Sequence, residues 1–164
     1  MRHTAPDGIM LMVERRFPMS LVRKIHGRRT HQIERSEELR DVIRSTFEAY
    51  LAGDAYFIDR HTSSQGSVRL IGSDPNEWWQ GEQAAEVLKQ EMQEGSIRVS
   101  SMDDIEAFVE GTVGWVSSRP VWTLEDGREI PTRWTAVFHQ EDGEWKMVQA
   151  HTSVGVANEE LFGG

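Results

Sequence analysis

The sequence predicts an α+β fold with helices gathered on one face of an antiparallel sheet, on three observations. Helical periodicity is concentrated between Ser36 and Gln93, and strand-type runs fill the rest of the chain. Two Glu-Asp-Gly turn signals, Glu125-Asp126-Gly127 and Glu141-Asp142-Gly143, join the last three of those runs. Helices followed by strands, rather than alternating with them, argue for segregated layers instead of a parallel sheet.

Taken in order, "SEELRDVIRSTFEAYLAGD" reads as an amphipathic helix. Leu39, Val42, Ile43, Phe47, Tyr50 and Leu51 fall on one stripe at spacings of three and four. Ser36 is suited to the N-cap, Glu38 and Asp41 to the first turn, and Gly53 to the stop. Asp54 then caps a short second helix through "AYFIDRH". "SVRLIG" has strand composition. "SDPNEWWQG" reads as a turn, because Pro75 blocks helix continuation and Asp74 can bond its local backbone. "EQAAEVLKQEMQ" is a third helix, stopped by Gly95. The β-rich runs "SIRVSSM", "DIEAFVEGTVGWVSSRPVWTL", "REIPTRWTAVFHQ" and "EWKMVQAHTSVGV" follow.

The 164 residues suffice for one domain with a sizeable core, and 38% hydrophobic with 27% charged residues is a globular composition. With no cysteine, disulfides, thiolate chemistry and thiolate zinc sites are excluded. The net charge of -9 is uneven: +5 over residues 1–35, and -14 over residues 36–164. An acidic body is a poor nucleic-acid binder, so no nucleic-acid partner is expected. No apolar run reaches the ~20 residues of a membrane-spanning helix. The Arg-rich head lacks the apolar region of a secretory signal, and a cytoplasmic location is expected. Four readings of that head stay open: a transit segment, a membrane-surface helix, a flexible tail, or translated sequence upstream of a start at Met19. A poorly packed basic extension over 1–35, preceding a domain over 36–164, is favoured.

Three-residue hairpin loops at both Glu-Asp-Gly signals set a register. Gln140 then faces Glu144, Arg133 faces His151, and Arg119 faces Arg133. Alternation places Trp115, Ser117, Arg119, Arg133, Thr135, Val137, Trp145, Met147, Gln149 and His151 on one face. Gly114, Val116, Ser118, Trp134, Ala136, Phe138, Val148, Ala150 and Thr152 take the other. A two-residue Asp-Gly turn would slip the pairing by one residue and swap the assignments.

Three stretches together resemble the SnoaL-like group of the nuclear transport factor 2-like superfamily: "FEAYLAGDAYFI", "IGSDPNEWWQGEQAAEVL" and "DGEWKMVQAHTSVGVANEELFG". The resemblance spans Ser36 to Gly163. It implies a curved sheet wrapped on about three helices into a cone, with an apolar pocket at the open end and a homodimer through the outer sheet face. The superfamily's members include ketosteroid isomerase, scytalone dehydratase, limonene epoxide hydrolase, polyketide cyclases, a kinase association domain and non-catalytic transport factors. One fold hosts many functions, so activity must be argued from the site.

The expected ligand is a small hydrophobic molecule. Isomerisation, cyclisation or dehydration of a hydrophobic carbonyl compound without a cofactor is one reading; a non-catalytic dimeric interaction module is the alternative. Asp74-Pro75 resembles the Asp-Pro that supplies the general base in isomerase-like members, although its spacing from the strand differs. No tyrosine/acid oxyanion pair of the isomerase kind stands beside it. Asp74 as turn cap is the competing reading. The residues expected at the site are His151 and Asp74 as proton carriers, Arg133 as an oxygen-stabilising donor, and Trp78, Trp115 and Gln149 as pocket residues. Against this stand ordinary helix–sheet packing for Trp78 and a structural or dimer-face role for His151. Ser153 stands ~6–7 Å along the strand from His151, poor spacing for a nucleophile and base. His61, with Asp59 nearby, is a further acid/base candidate. No histidine pair has helical metal-ligand spacing, so no metal is expected.

Overall fold

The computed structural model describes residues 32–54, 56–66, 68–94, 97–102 and 104–163. Of the basic extension expected over 1–35, residues 1–31 lie outside those residues, as does the Gly95 helix stop. In chain order the elements are β1 (Glu34–Arg35), α1 (Glu37–Leu51), α2 (Tyr56–His61), β2 (Arg69–Ile71), β3 (Trp78–Gln80), α3 (Glu82–Glu94), β4 (Ile97–Ser101), β5 (Glu106–Glu110), β6 (Val113–Ser118), β7 (Val121–Leu124), β8 (Glu129–Glu141), β9 (Glu144–Val154) and α4 (Asn158–Phe162). The expected α+β fold with a curved sheet is therefore present. Strand β1 and helix α4 are additions to the expected list, and Trp78–Gln80 is a strand where a turn was expected.

The strands follow the order β1-β5-β6-β8-β9-β2-β3, with β4 and β7 attached at the first residues of β8. Every pairing is antiparallel except β2 with β9, so the sheet is mixed. The strand-forming residue types of the long runs explain β8 and β9, of 13 and 11 residues. Two register shifts, between Val99 and Ser101 and between Val137 and Phe138, mark β-bulges, which raise local twist.

Helix α1 forms where its sequence predicts, with Asp41 just past the first turn instead of in it. The Ser36 hydroxyl accepts the Leu39 N–H at 3.1 Å, and Glu37 and Glu38 occupy the positive first turn. Leu39 and Ile43 are fully buried on the inner sheet face, among Ala107, Val116, Ala136 and Phe138. Burying each such side chain contributes about 1.5–3 kcal/mol. Leu39 comes so close to the sheet that a β-carbon on Gly114 would lie 2.6 Å from its Cδ2. Leu51, expected on the same stripe, is 57% exposed, since it stands at the helix end beyond the sheet.

The pairing of β8 with β9 departs from the expected register in two ways. The loop is two residues long: Asp142 (φ 52) and Gly143 (φ 85) form the turn, and Glu141 pairs with Glu144. Val148 then stands outside the pairing as the bulged residue, because Phe138 pairs with Met147 and Val137 with Gln149. Past the bulge Arg133 pairs with Ser153 and Thr135 with His151. The inner face of β9 thus carries Trp145, Met147, Ala150 and Thr152, and the outer face Gln149, His151 and Ser153. Trp145 and Met147 are corrections to the expected faces: the short turn moved them inward, and the bulge restored the expected side for Gln149 and His151. The first Glu-Asp-Gly loop behaves as expected. Thr123 pairs with Glu129 and Ser117 with Thr135, the register that would set Arg119 opposite Arg133.

Regular pairing of β6 with β8 stops at Ser118, ahead of Pro120. Asp104 holds the break: its Oδ1 accepts the Ser118 hydroxyl at 3.0 Å and the Arg119 N–H at 2.8 Å. The buried Thr132 hydroxyl donates to the Pro120 carbonyl at 2.8 Å. This break redirects the chain so that Pro120 and Trp122 turn towards the helices and line a cavity.

Candidate functional site

Between the helices and the inner face of the sheet lies a cavity of about 190 Å³. That exceeds the roughly 150 Å³ of a dry apolar cavity able to take benzene. The last turns of α1 present Thr46, Phe47 and Tyr50, and α2 presents Phe57, Ile58 and His61. Trp79 projects from β3, Trp122 from β7, and Trp134 and Phe138 from β8. Met147, Ala150 and Thr152 form the β9 wall, and α3 closes the space with Leu88 and Glu91. Phe47 meets Trp134 edge-to-face, with ring centres 5.4 Å apart at 85°.

Three titratable groups of the lining have displaced proton affinities. Burial raises the Glu91 carboxyl to about 7, with the negative charges of Glu77 and then Glu94 adding to the effect. Glu91 as a whole residue is still exposed, which places it at the cavity rim. Burial also raises the Tyr50 hydroxyl, helped by the charge of Glu91, so these two groups share one side of the cavity. His61 is lowered by burial first, then by the cations Lys146 and Arg60. Its ring lies 4.6 Å from that of Phe57 at 30°. A neutral imidazole, a carboxyl that exchanges its proton near neutrality and a phenol can together donate and accept protons on a ligand held by aromatic walls.

None of the six residues expected at the site lines this cavity. Asp74 caps the β2–β3 turn: its Oδ1 accepts the Asn76 backbone N–H at 2.8 Å and side-chain N–H at 3.0 Å. The Glu77 carboxylate closes the same turn on the Asp74 N–H at 2.9 Å. Trp78 is 62% exposed and lies under the Arg69 guanidinium at 5.3 Å. Trp115 stacks on Phe108 at 6.1 Å on the outer sheet face. Arg133, Gln149 and His151 share that outer face, where Arg133 and Gln149 are exposed. Arg133 and His151, expected as partners, pair with Ser153 and Thr135 instead. The structure thus brings together Gln149, Trp115 and Val137 on one outer row, and leaves Asp74 apart from it.

Two sequence signals locate cavity residues that the six expected ones miss. Strand alternation across Trp78-Trp79-Gln80 turns Trp79 inward whenever Trp78 faces out. On α3, Ala84, Leu88 and Glu91 follow at spacings of four and three, so Glu91 continues the apolar stripe. An acid on such a stripe is the informative anomaly. Among the described residues no group of three or more His, Asp and Glu is arranged to hold a metal ion. No described helix is long and apolar enough to cross a membrane.

The fold recurs in solved structures. A nuclear transport factor 2-like protein of unknown function from Pseudomonas putida superposes with a TM-score of 0.64 at 14% identity, over 75% of this chain and 88% of that one. A proposed dehydratase of the same family from Streptomyces avermitilis gives 0.63 at 17% identity, over 74% and 96%. The association domain of the Caenorhabditis elegans calcium/calmodulin-dependent kinase II gives 0.57 at 14% identity, over 71% and 92%. At such identities the likeness establishes the fold alone. No curated protein shows a significant match to the sequence. The SnoaL-like domain family matches residues 39–157, nearly three quarters of the chain. The chain belongs to the SnoaL-like family, and its fold is that of nuclear transport factor 2-like proteins.

Proposed function

We propose that this domain binds a small hydrophobic molecule in the cavity between α1, α2, α3 and the inner sheet face. The observation that carries the reading is the lining itself: aromatic walls from five elements enclose space for one or two rings, with Glu77, Glu91, Tyr50 and His61 as the titratable groups. Ligand sites combine mostly apolar walls with a few convergent polar groups in this way. Trp134 is the wall residue to test, since it lines the cavity and braces Phe47. Single-ring and two-ring apolar probes should quench the cavity tryptophans with saturable affinity. Trp134→Ala should weaken that binding at least tenfold while keeping the wild-type circular dichroism spectrum. Failure of every apolar probe to bind the folded wild type would sink the reading.

The chemistry this site favours is cofactor-independent proton transfer, as in isomerisation, cyclisation or dehydration of a hydrophobic substrate. The proton carrier is Glu91, whose carboxyl can both give and take a proton at neutral pH. Tyr50 serves as a hydrogen-bond donor to a developing oxyanion. The resemblance of the fold to a proposed dehydratase supports this class. Asp74 and His151 give up the proton-carrier role they are assigned from sequence, since neither touches the cavity.

A second reading concerns the outer sheet face. Phe108, Trp115 and Val137 form an apolar row there, with Arg35 stacked 5.0 Å over Phe108 and Trp78 exposed farther along the sheet. Aromatic and arginine side chains favour interface cores. This face joins two copies of the chain into a homodimer and leaves both cavities free.

A further inference from the structure

We propose that the cavity selects hydrophobic organic cations, such as aryl- or alkyl-ammonium compounds, over neutral and anionic molecules of the same shape. This rests on the ligand-binding reading above and assigns the class of ligand. The positive head group lies against the faces of Trp79, Trp122, Trp134 and Tyr50, and Glu77 and Glu91 supply the counter-charge.

Three observations converge on this class. First, the cavity wall holds two carboxylates, while no Lys or Arg stands among the described residues that line it. Neither Glu77 nor Glu91 forms an ion pair among the described residues; the cations close to the helices are engaged elsewhere, Lys89 with Asp59 at 2.6 Å and Arg60 with Asp54 at 2.8 Å. Two partly dehydrated carboxylates within reach of each other repel, and an anionic ligand would add to that repulsion. A cation would relieve it. Second, seven Phe, Tyr and Trp side chains stand in the remaining wall, and ring faces attract ammonium groups most strongly where water is excluded. A quaternary ammonium has no N–H to donate, so aromatic faces and carboxylates are the groups that hold it. Third, residues 36–164 carry a net charge of -14, a field that draws cations and turns anions away. Burial first, and then the charges of Glu77 and Glu94, raise the proton affinity of Glu91, so the like-charge repulsion that a cation would relieve is felt at this carboxyl.

The test is a matched set of three probes measured by calorimetry on the full chain: benzyltrimethylammonium, its uncharged isostere neopentylbenzene, and the anion 3-phenylpropionate. Wild-type protein should bind the cation at least tenfold more tightly than the isostere, and the anion most weakly. Glu91→Gln should lower the affinity for the cation at least fivefold and leave the isostere within twofold. Glu77→Gln, checked for its thermal transition because Glu77 also closes a turn, should lower it in the same direction. Equal binding of cation and isostere, tighter binding of the anion, or an unchanged cation affinity in Glu91→Gln would each overturn the charge selectivity. Those results would leave the hydrophobic cavity reading standing. Absence of binding by all three probes, and by neutral two-ring probes, would remove both.

Discussion

At the scale of single residues, Glu91 is the position where environment and chemistry meet most sharply. Its pKa of about 7 in the fold lies above the ordinary 4.5 of the unfolded chain, so ionisation is opposed by the native state. Its contribution to stability is fully present below pH 4.5 and is lost as the pH rises through 7. Glu91→Gln removes that loss. The variant should match the wild type near pH 4 and exceed it by ~1 kcal/mol above pH 7, a figure discounted for solvent at the rim. Thermal denaturation across that range checks it: a gain of about 2–4 °C is expected at pH 8 and none at pH 4. A gain independent of pH would contradict the assignment. The sequence does carry a signal for Glu91, an acid on an apolar helical stripe, though no expected site residue rested on it; Trp79 became the inward neighbour of Trp78 only once the stretch read as a turn proved to be a strand. His151 attracted attention for its residue type and for the polar sheet face it was expected to share with Arg133, and neither says which face of the sheet looks into the cavity.

At the scale of elements, the closing hairpin and the loop after α2 are held by one polar cluster. The Ser63 hydroxyl donates to Glu141 Oε1, and His139 Nε2 donates to the same oxygen at 2.6 Å. Ser63 is 7% exposed, and its N–H also donates to the Met147 carbonyl at 2.9 Å, tying the loop to β9. The Glu141 carboxyl is held below its ordinary value by Ser63 first and His139 next. A lowered carboxylate contributes stability above its unfolded pKa, lost as the pH falls through the folded one. Glu141→Gln should therefore cost about 1–2 kcal/mol at pH 7 and progressively less as the pH drops below 4.5. Chemical denaturation at pH 7 and pH 3 reads both; an equal cost at the two values would count against the cluster.

The same hairpin shows why element boundaries were easier to read than register. Asp-Gly after a β-rich run does announce a turn, but two and three residues are both allowed lengths. Choosing between them reverses every side chain that follows. The Val148 bulge then reverses them again, and bulges leave no reliable mark in a single strand's sequence. Gly72 carries a comparable constraint in the β2–β3 turn. A β-carbon there would lie 2.0 Å from Glu77 Oε2, a crowding set by a residue five positions away.

At the scale of the whole molecule, the sheet has two working faces. The inner one packs on α1 and walls the cavity; the outer one bears the Phe108–Trp115 stack. A dimer through the outer face should dissociate in Trp115→Glu, since a buried unpaired carboxylate opposes association strongly. Sedimentation velocity should report a dimer for the wild type and a monomer for the variant, with secondary structure unchanged. A dimeric variant would move the interface elsewhere, and a monomeric wild type would remove it.

By itself the sequence determined the α+β class, the capped helix α1, the first hairpin register, and an acidic body without thiol chemistry. Each of these follows from local propensity, periodicity, turn chemistry or composition, which act within a few residues or over simple sums. Only the tertiary structure decided that β2 runs parallel to β9, that β6 breaks before Pro120, and that Trp79, Trp122, Trp134, Glu91 and Tyr50 share one cavity. Those outcomes depend on contacts between residues dozens of positions apart. There, one bulge or one turn residue decides which side chains meet.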